Sequence, residues 1–213
     1  MKRSKILLAD DHTVILDGLR SILEADFEIV GAVTDGRALV AAYKTLRPDI
    51  VLTDITMPLL NGLEATRQIK KADHEAKIIF LTMHPDVALA KEALRAGGSG
   101  YLVKHSPSSE IVAAIRQVLQ GRIYLSPLVT KDVLKSLMAD VGRAEQLPSP
   151  LSNRGREILQ LVAEGHTHKA VARTLSISVR TAQYHRYNML EKLGLRTAPE
   201  LTRYAIKHGI ISV

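Results

Sequence analysis

The stretch Asp49-Ile50-Val51-Leu52-Thr53-Asp54-Ile55-Thr56-Met57-Pro58-Leu59-Leu60-Asn61-Gly62 decides how the rest of the chain is read. Ile50, Val51 and Leu52 form an apolar run of the kind that fills a strand buried on both faces. Asp54 stands where that run gives out, and Pro58 and Asn61-Gly62 mark the loop that follows. A carboxylate at the carboxyl end of a buried strand is poorly placed for packing and well placed for chemistry.

The neighbouring segments repeat the pattern. Residues 5–9 read as a first strand closed by Asp10-Asp11, after which Val14, Ile15, Leu16, Leu19, Ile22 and Leu23 recur at helical spacing. Residues 27–33 make a second strand stopped by Asp35-Gly36, and Leu39, Val40, Tyr43 and Leu46 a helix ending before Pro48. A third helix begins over 63–69, residues 77–81 are a fourth strand ending in Thr82, and 85–96 are helical up to Gly97-Gly98. Residues 100–103 are a fifth strand ending in Lys104; Ser106 is placed to cap the last helix, with Pro107 at its first position and Gly121 just past its end. Five strand–helix alternations within residues 1–122 predict an α/β doubly wound, five-stranded parallel sheet, flavodoxin-like, with helices on both faces.

In such a sheet ligands bind beyond the carboxyl ends of the strands. Asp10, Asp11, Asp54, Thr82 and Lys104 all fall there. Asp10 and Asp11 alone would serve equally as acids at the start of the first helix. Three close carboxylates repel one another unless a cation sits among them, and a hard divalent ion with oxygen ligands, Mg²⁺ above all, resolves this. A carboxylate can itself attack phosphorus and form an aspartyl phosphate. Lys104 and Thr82 would then hold phosphoryl oxygens. His12, His84 and His105 lie near the same edge without a shared strand-end spacing, and read as surface groups or neighbours of the site.

Together Asp10-Asp11, the run from Asp54 to Pro58 with Gly62, Thr82 and Gly100-Tyr101-Leu102-Val103-Lys104 resemble the receiver domain of two-component response regulators. The resemblance implies that Asp54 is phosphorylated by a partner histidine kinase. It implies that Asp11, Asp54 and the backbone carbonyl of Thr56 hold Mg²⁺, with Asp10 acting through water. It also implies that Thr82 and Tyr101 are a switch pair, the hydroxyl swinging to the phosphate and the ring turning inward behind it.

Composition bounds the remainder. With 213 residues, 46% hydrophobic and 24% charged, the chain has room for two soluble domains. No apolar run approaches the ~20 residues of a membrane span, the first run is too short for a signal peptide, and there is no cysteine for a disulfide or thiolate metal site. A cytoplasmic protein with no membrane partner is expected. Residues 1–125 carry 16 Lys and Arg against 15 Asp and Glu, and residues 126–213 carry 13 against 7. The excess of +6 in the second part suggests that it faces a polyanion.

Residues 128–138 read as a short amphipathic helix with apolar positions 128, 129, 133, 134, 137 and 138, followed by an exposed linker over 140–150. The division is therefore 1–122 for the first domain, 123–148 for a linker with a short helix, and 149–213 for an all-helical second domain. Ser152 caps a helix to about Ala163, residues 168–175 are a second, Ser176-Ile177-Ser178 a tight turn, 179–193 a third and 200–208 a fourth. Two helices joined by a three-residue turn match a helix-turn-helix, whose second helix enters the major groove of double-stranded DNA. On a helical wheel Val179, Ala182, Met189, Leu190 and Leu193 face inward, while Arg180, Gln183, Tyr184, Tyr187 and Glu191 face out and Arg186 lies at the flank. Arg180, Gln183, Tyr184, Arg186 and Tyr187 can contact bases and phosphates, with Lys169, Arg173 and Lys192 on the backbone.

Leu151-Ser152, Arg154, Glu157-Ile158-Leu159, Gly165, Lys169, Val171-Ala172, the run Leu175 to Ser178, Thr181, His185 and Lys192-Leu193 resemble the four-helix output domain of NarL/FixJ (LuxR-type) regulators. Gly155, His168, Ala170 and Gln183 depart from that pattern. The resemblance implies a dimer contact through residues 200–208. The two resemblances imply a DNA-binding transcriptional regulator, a homodimer when active, that accepts a phosphoryl group and is not a turnover enzyme. The alternatives are a regulator that binds DNA without phosphorylation, using the first domain only to dimerise, and a Mg²⁺-dependent phosphatase. The latter would place two aspartates one residue apart on the nucleophile loop, whereas here the paired acids are adjacent and the nucleophile lies on another strand.

Overall fold

In this computed structural model, residues 3–83, 85–140 and 151–211 are described. Six parallel strands run in the order β2-β1-β3-β4-β5-β6: β1 (Lys5–Ala9), β2 (Glu28–Val33), β3 (Ile50–Asp54), β4 (Ile78–Thr82), β5 (Gly100–Val103) and β6 (Tyr124–Leu125). The order turns from one direction to the other at β1, so the switch point lies between β1 and β3. Helices α1 (Thr13–Leu23) and α5 (Ser108–Leu119) cover one face, and α2 (Gly36–Leu46), α3 (Gly62–Ala72) and α4 (Val87–Arg95) the other. Side-chain alternation divides each strand between the two cores. Ile6, Leu8, Ile50 and Leu52 pack with Leu16, Leu19 and Leu23 of α1 and Ile115 of α5. Leu7, Val51, Ile78 and Phe80 pack with Leu39, Ile69 and Ala90 on the opposite side. Each such Leu, Ile, Val or Phe side chain contributes about 1.5–3 kcal/mol by leaving water.

The sixth strand is beyond the five that the sequence predicts. Tyr124–Leu125 pairs with Gly100–Tyr101, and two residues are too few to form a period-2 pattern. The helix expected over 128–138 is α6 (Pro127–Asp140). It packs on α4 through Val129 and Val133, and Lys91 Nζ donates to Ser136 Oγ at 2.9 Å. Leu128, Leu134 and Met138 are exposed, because a helix resting on one neighbour buries only a narrow stripe. The linker expected over 140–150 falls almost wholly outside the described residues. Ser106 is not the cap of α5: Pro107 occupies that position with no side-chain cap, and the Ser106 hydroxyl has no hydrogen-bond partner among the described residues.

The second domain has α7 (Asn153–Ala163), α8 (His168–Leu175), α9 (Val179–Leu193) and α10 (Ala198–Lys207). Ser152, Thr167 and Ser178 cap the first three, each accepting an N–H from three residues on. α10 starts two residues earlier than expected, because Thr197 and Glu200 form a capping box. Ile158, Leu161, Val171, Leu175, Met189, Leu201 and Ala205 make its core. Val179 is a correction: it is 42% exposed, because it opens the first turn of α9, ahead of the buried Ala182 and Met189.

Candidate functional site

Strand register builds the acidic edge. Ala9 pairs with Thr53, which sets Asp10 beside Asp54, and Thr82 pairs with Val103, which brings Lys104 to the same edge. The Lys104 ammonium lies 2.8 Å from Asp54 Oδ2 and 2.6 Å from Asp10 Oδ2. Asp54 Oδ1 accepts the Ile55 N–H at 2.7 Å. Asp10 is fully buried, and its Oδ1 accepts the His12 N–H at 3.0 Å. Asp11 is turned outward, with Oδ1 2.9 Å from His12 Nδ1. One ligand atom from each of Asp10, Asp11, His12 and Asp54 lies within 4.8 Å of all the others. Of the three histidines near this edge, His12 thus belongs to the cluster, His105 is exposed, and His84 is outside the described residues.

Burial pushes the Asp54 carboxyl up, against the downward pull of Lys104. Burial also works against the Lys104 ammonium, but Asp54 and Asp10 outweigh it and its net shift is upward. Three carboxylates therefore meet one firmly charged ammonium. The surplus negative charge and the oxygen-rich donor set fit a hard divalent cation, and receivers of this fold use Mg²⁺ in such a pocket.

Thr82 is buried and its hydroxyl hydrogen-bonds to the Tyr101 phenol, whose oxygen also donates to the Asp86 carbonyl at 3.3 Å. The Tyr101 ring is fully buried, already inside where the resemblance expects it to turn. Asp86 caps α4, so Tyr101 ties β5 to the start of that helix. Thr56, on the loop after β3, lines the same cavity as Asp54, Thr82 and Lys104. A Cβ added to Gly62 would fall 2.0 Å from the Asp54 carbonyl oxygen, which explains why glycine opens α3 directly against the strand end.

What the sequence reading did not find is how closely the second domain holds this loop. Gln160 of α7 is fully buried; its carbonyl accepts the Asn61 N–H and its amide donates to the Met57 carbonyl, both at 2.7 Å. The Glu164 carboxylate accepts the Leu59 N–H at 3.2 and 3.3 Å. Leu59 has φ +65°, a left-handed conformation that costs a non-glycine residue about 1–2 kcal/mol. Buried Glu64 of α3 pairs with both Arg67 and Arg156 of α7. Glu157 meets Arg37 at 3.3 Å and Gln68 at 3.1 Å. The available signal was Gln160 itself, a polar residue inside the apolar run Ile158-Leu159-Gln160-Leu161-Val162. The end of α10 lies across the acidic edge: a cavity of about 780 Å³ is lined by Asp54, Thr82 and Lys104 from one domain and Ile206, Lys207 and His208 from the other.

On α9, Arg180, Gln183, Tyr184 and Tyr187 are exposed at i, i+3, i+4 and i+7, the tyrosines by 63% and 68%. Lys169, Arg173 and Lys192 are exposed as well. Arg186 is half-buried instead, with Nη1 3.3 Å from His168 Nε2. Among the described residues, no helix is long and apolar enough to cross a membrane.

Residues 6–116 match the family model for the response regulator receiver domain, and residues 149–205 match that for bacterial regulatory proteins, luxR family. The chain is 35% identical to the oxygen regulatory protein NreC of Staphylococcus carnosus (strain TM300), over 97% of this chain and 99% of NreC. It is 37% identical to the transcriptional regulatory protein MctR of Rhizobium johnstonii, over 98% of this chain and 95% of MctR. A solved structure of the RcsB response regulator of Salmonella typhimurium, described for its conformational dynamism for DNA interaction, aligns with a TM-score of 0.64 at 25% identity. That alignment covers 98% of this chain and 99% of RcsB.

Proposed function

This chain belongs to the response regulators that join a receiver domain to a LuxR-type DNA-binding domain, and from that premise we propose that phosphoryl transfer to Asp54 switches its binding to DNA. The donor is a phosphohistidine on a partner histidine kinase. A carboxylate oxygen of Asp54 forms a bond to phosphorus as the P–N bond breaks, and the departing imidazole keeps the electron pair and takes up a proton. Lys104 holds a phosphoryl oxygen while staying paired with Asp10. The Thr82 hydroxyl turns from Tyr101 to a second oxygen. Mg²⁺, when bound, neutralises charge on the phosphoryl group; Asp11, Asp54 and the Thr56 backbone carbonyl would hold it, with Asp10 acting through water. The aspartyl phosphate decays by slow hydrolysis, so the chain resets without being a turnover enzyme.

The observation that carries this reading is the loop over 55–61. It begins on Asp54 Oδ1 and gives Met57, Leu59 and Asn61 to Gln160 and Glu164 of the output domain. A phosphoryl group on Asp54 displaces the loop and weakens that grip. The end of α10, the helix that the family resemblance assigns to the output-domain dimer, then leaves the acidic edge. In this reading the receiver restrains the end of α10 rather than α9, whose outward face points away from the acidic edge. The freed chains form a homodimer on double-stranded DNA in the cytoplasm. Arg180, Gln183, Tyr184 and Tyr187 face the groove with Arg186 at their flank, and Lys169, Arg173 and Lys192 face the phosphates. The division proposed is 1–122, 123–148 and 149–213, although β6 and α6 of the middle segment pack on the receiver.

Incubation of the chain with Mg²⁺ and a small acyl phosphate should add one phosphoryl group by intact mass and tighten DNA binding. An unchanged mass, or an equal gain in Asp54→Ala, would overturn the reading. A second reading, DNA binding without phosphorylation, draws on the buried Tyr101 ring and the exposed face of α9. DNA affinity that is equal with and without the donor would favour it.

A further inference from the structure

We infer that His12 is a nitrogen ligand of the receiver's metal site and tilts its selectivity from Mg²⁺ towards first-row cations that accept imidazole, such as Co²⁺, Fe²⁺ and Zn²⁺. This rests on the reading of the Asp10–Asp11–Asp54 edge as a metal site and adds a donor that reading does not use.

The geometry comes first. His12 Nδ1 lies 2.9 Å from Asp11 Oδ1 and 3.2 Å from Asp10 Oδ1, on the side of the ring that faces the cluster. Two ligands at neighbouring corners of an octahedron, each about 2.1 Å from the metal, are about 3.0 Å apart. Nδ1 therefore already sits at the spacing of an adjacent ligand. The backbone holds it there: His12 is the N-cap of α1, with φ −96° and ψ 103°, and its N–H is fixed on Asp10 Oδ1 at 3.0 Å. Among the described residues the ring's polar partners are these two carboxylates. The side chain is 68% exposed, so the far edge of the ring is open to solvent. The ring can ligate through Nδ1 with its proton carried on Nε2, and water can satisfy that N–H.

The chemistry follows from the donor set. Three carboxylates alone suit Mg²⁺, which dehydrates reluctantly and prefers oxygen. One imidazole added to them favours cations further along the first transition row, where nitrogen donors gain most. Mg²⁺ would use the carboxylates and leave the imidazole hydrogen-bonded, while the softer ions would draw it in.

Calorimetric titration of the full chain with Mg²⁺ and, separately, Co²⁺ tests this, alongside proton NMR of the Co²⁺ form. His12→Ala should weaken Co²⁺ at least about tenfold, the lower end of what losing even an outer-shell partner of a metal ligand costs, and Mg²⁺ by less than twofold. His12→Asn, which keeps a polar side chain but no imidazole, should not restore Co²⁺ binding. The Co²⁺ form should show a strongly shifted, exchangeable imidazole N–H resonance that disappears in His12→Ala and on displacement by excess Mg²⁺. Equal effects on the two ions, no effect on either, or a resonance that persists in His12→Ala would overturn the role of His12. Binding of both ions untouched by Asp11→Ala would instead overturn the metal site itself.

Discussion

Gln160→Ala should open the molecule without any phosphoryl group. The wild-type side chain makes two cross-domain hydrogen bonds of 2.7 Å, to the Asn61 N–H and the Met57 carbonyl. Truncation leaves both backbone groups facing a void in the packed state, whereas in the separated state water satisfies them. An unsatisfied buried polar group costs about 1–3 kcal/mol, so even the low end for each gives about 2 kcal/mol against packing. That moves the packed-to-open ratio roughly thirtyfold. Fluorescence anisotropy with labelled promoter DNA, at fixed salt and without phosphoryl donor, should show affinity rising by up to that factor. The ceiling is the affinity of the phosphorylated wild type. Small-angle scattering should report a larger radius of gyration for the same variant. Because a merely unfolded output domain would lose DNA binding, the direction of change separates release from damage. Arg156→Gln, which breaks the pair with buried Glu64, provides an independent opening. If both variants keep the wild-type radius and affinity, the loop contacts do not hold the domains together and the reasoning fails.

Asp54→Asn should raise the melting temperature in metal-free buffer: burial lifts the Asp54 pKa in the folded state, so the wild type loses stability as pH rises above the unfolded value. The gap between variant and wild type should be small near pH 4 and wide at pH 8, and a gap that narrows with pH would contradict this. Gly155→Glu should stabilise the output domain by about 1–2 kcal/mol in urea denaturation, because position 155 is three residues past the Ser152 cap and glutamate there completes a capping box. A Cβ at 155 meets nothing closer than 3.4 Å, so no clash opposes the gain. Lys169→Ala or Arg173→Ala should weaken DNA binding evenly across sequences and lower the salt slope by about one, whereas Gln183→Ala should cost about 1–3 kcal/mol at particular bases, both read by titration at several salt concentrations.

The acidic edge was legible because its residues are tied to strand ends. Asp10, Asp54, Thr82 and Lys104 each follow an apolar run, and parallel register brings such positions together whatever the loops do. The helical domain was legible through the Ser152 cap and the tight turn Ser176-Ile177-Ser178, which signal boundaries locally. The strand β6 was not, since two residues carry no period. Arg186 was placed only at the flank of α9, and its contact with His168 depends on how α8 crosses that helix, which a single-helix wheel does not contain. The docking of the output domain was least legible. It joins residues about a hundred positions apart through backbone groups of Met57, Leu59 and Asn61, and a sequence names side chains, not free carbonyls and N–H groups. For the same reason the sequence gives no sign that Glu64 and Glu157 are buried, each paired with one arginine of its own domain and one of the other.

The placement of both tasks on one loop has an energetic logic. Moving a two-state molecule from 1:99 to 99:1 takes about 5.5 kcal/mol of differential stabilisation, more than one hydrogen bond or ion pair supplies. The packed state must therefore be held by several contacts that fail together, and contacts on separate elements would fail one at a time. Here Met57, Leu59 and Asn61 alternate along a single short loop, and the loop is pinned at both ends: Ile55 donates to Asp54 Oδ1, and Gly62 donates to the Ile55 carbonyl at 2.8 Å. A shift of the first peptide is passed to all three contacts, because little slack lies between the pins. Leu59, whose N–H is held by Glu164, is left-handed in this packed state, a conformation that costs about 1–2 kcal/mol. In the switch we propose, a phosphoryl group on Asp54 would act on these contacts through the one loop and so release α7 and the end of α10 in a single step.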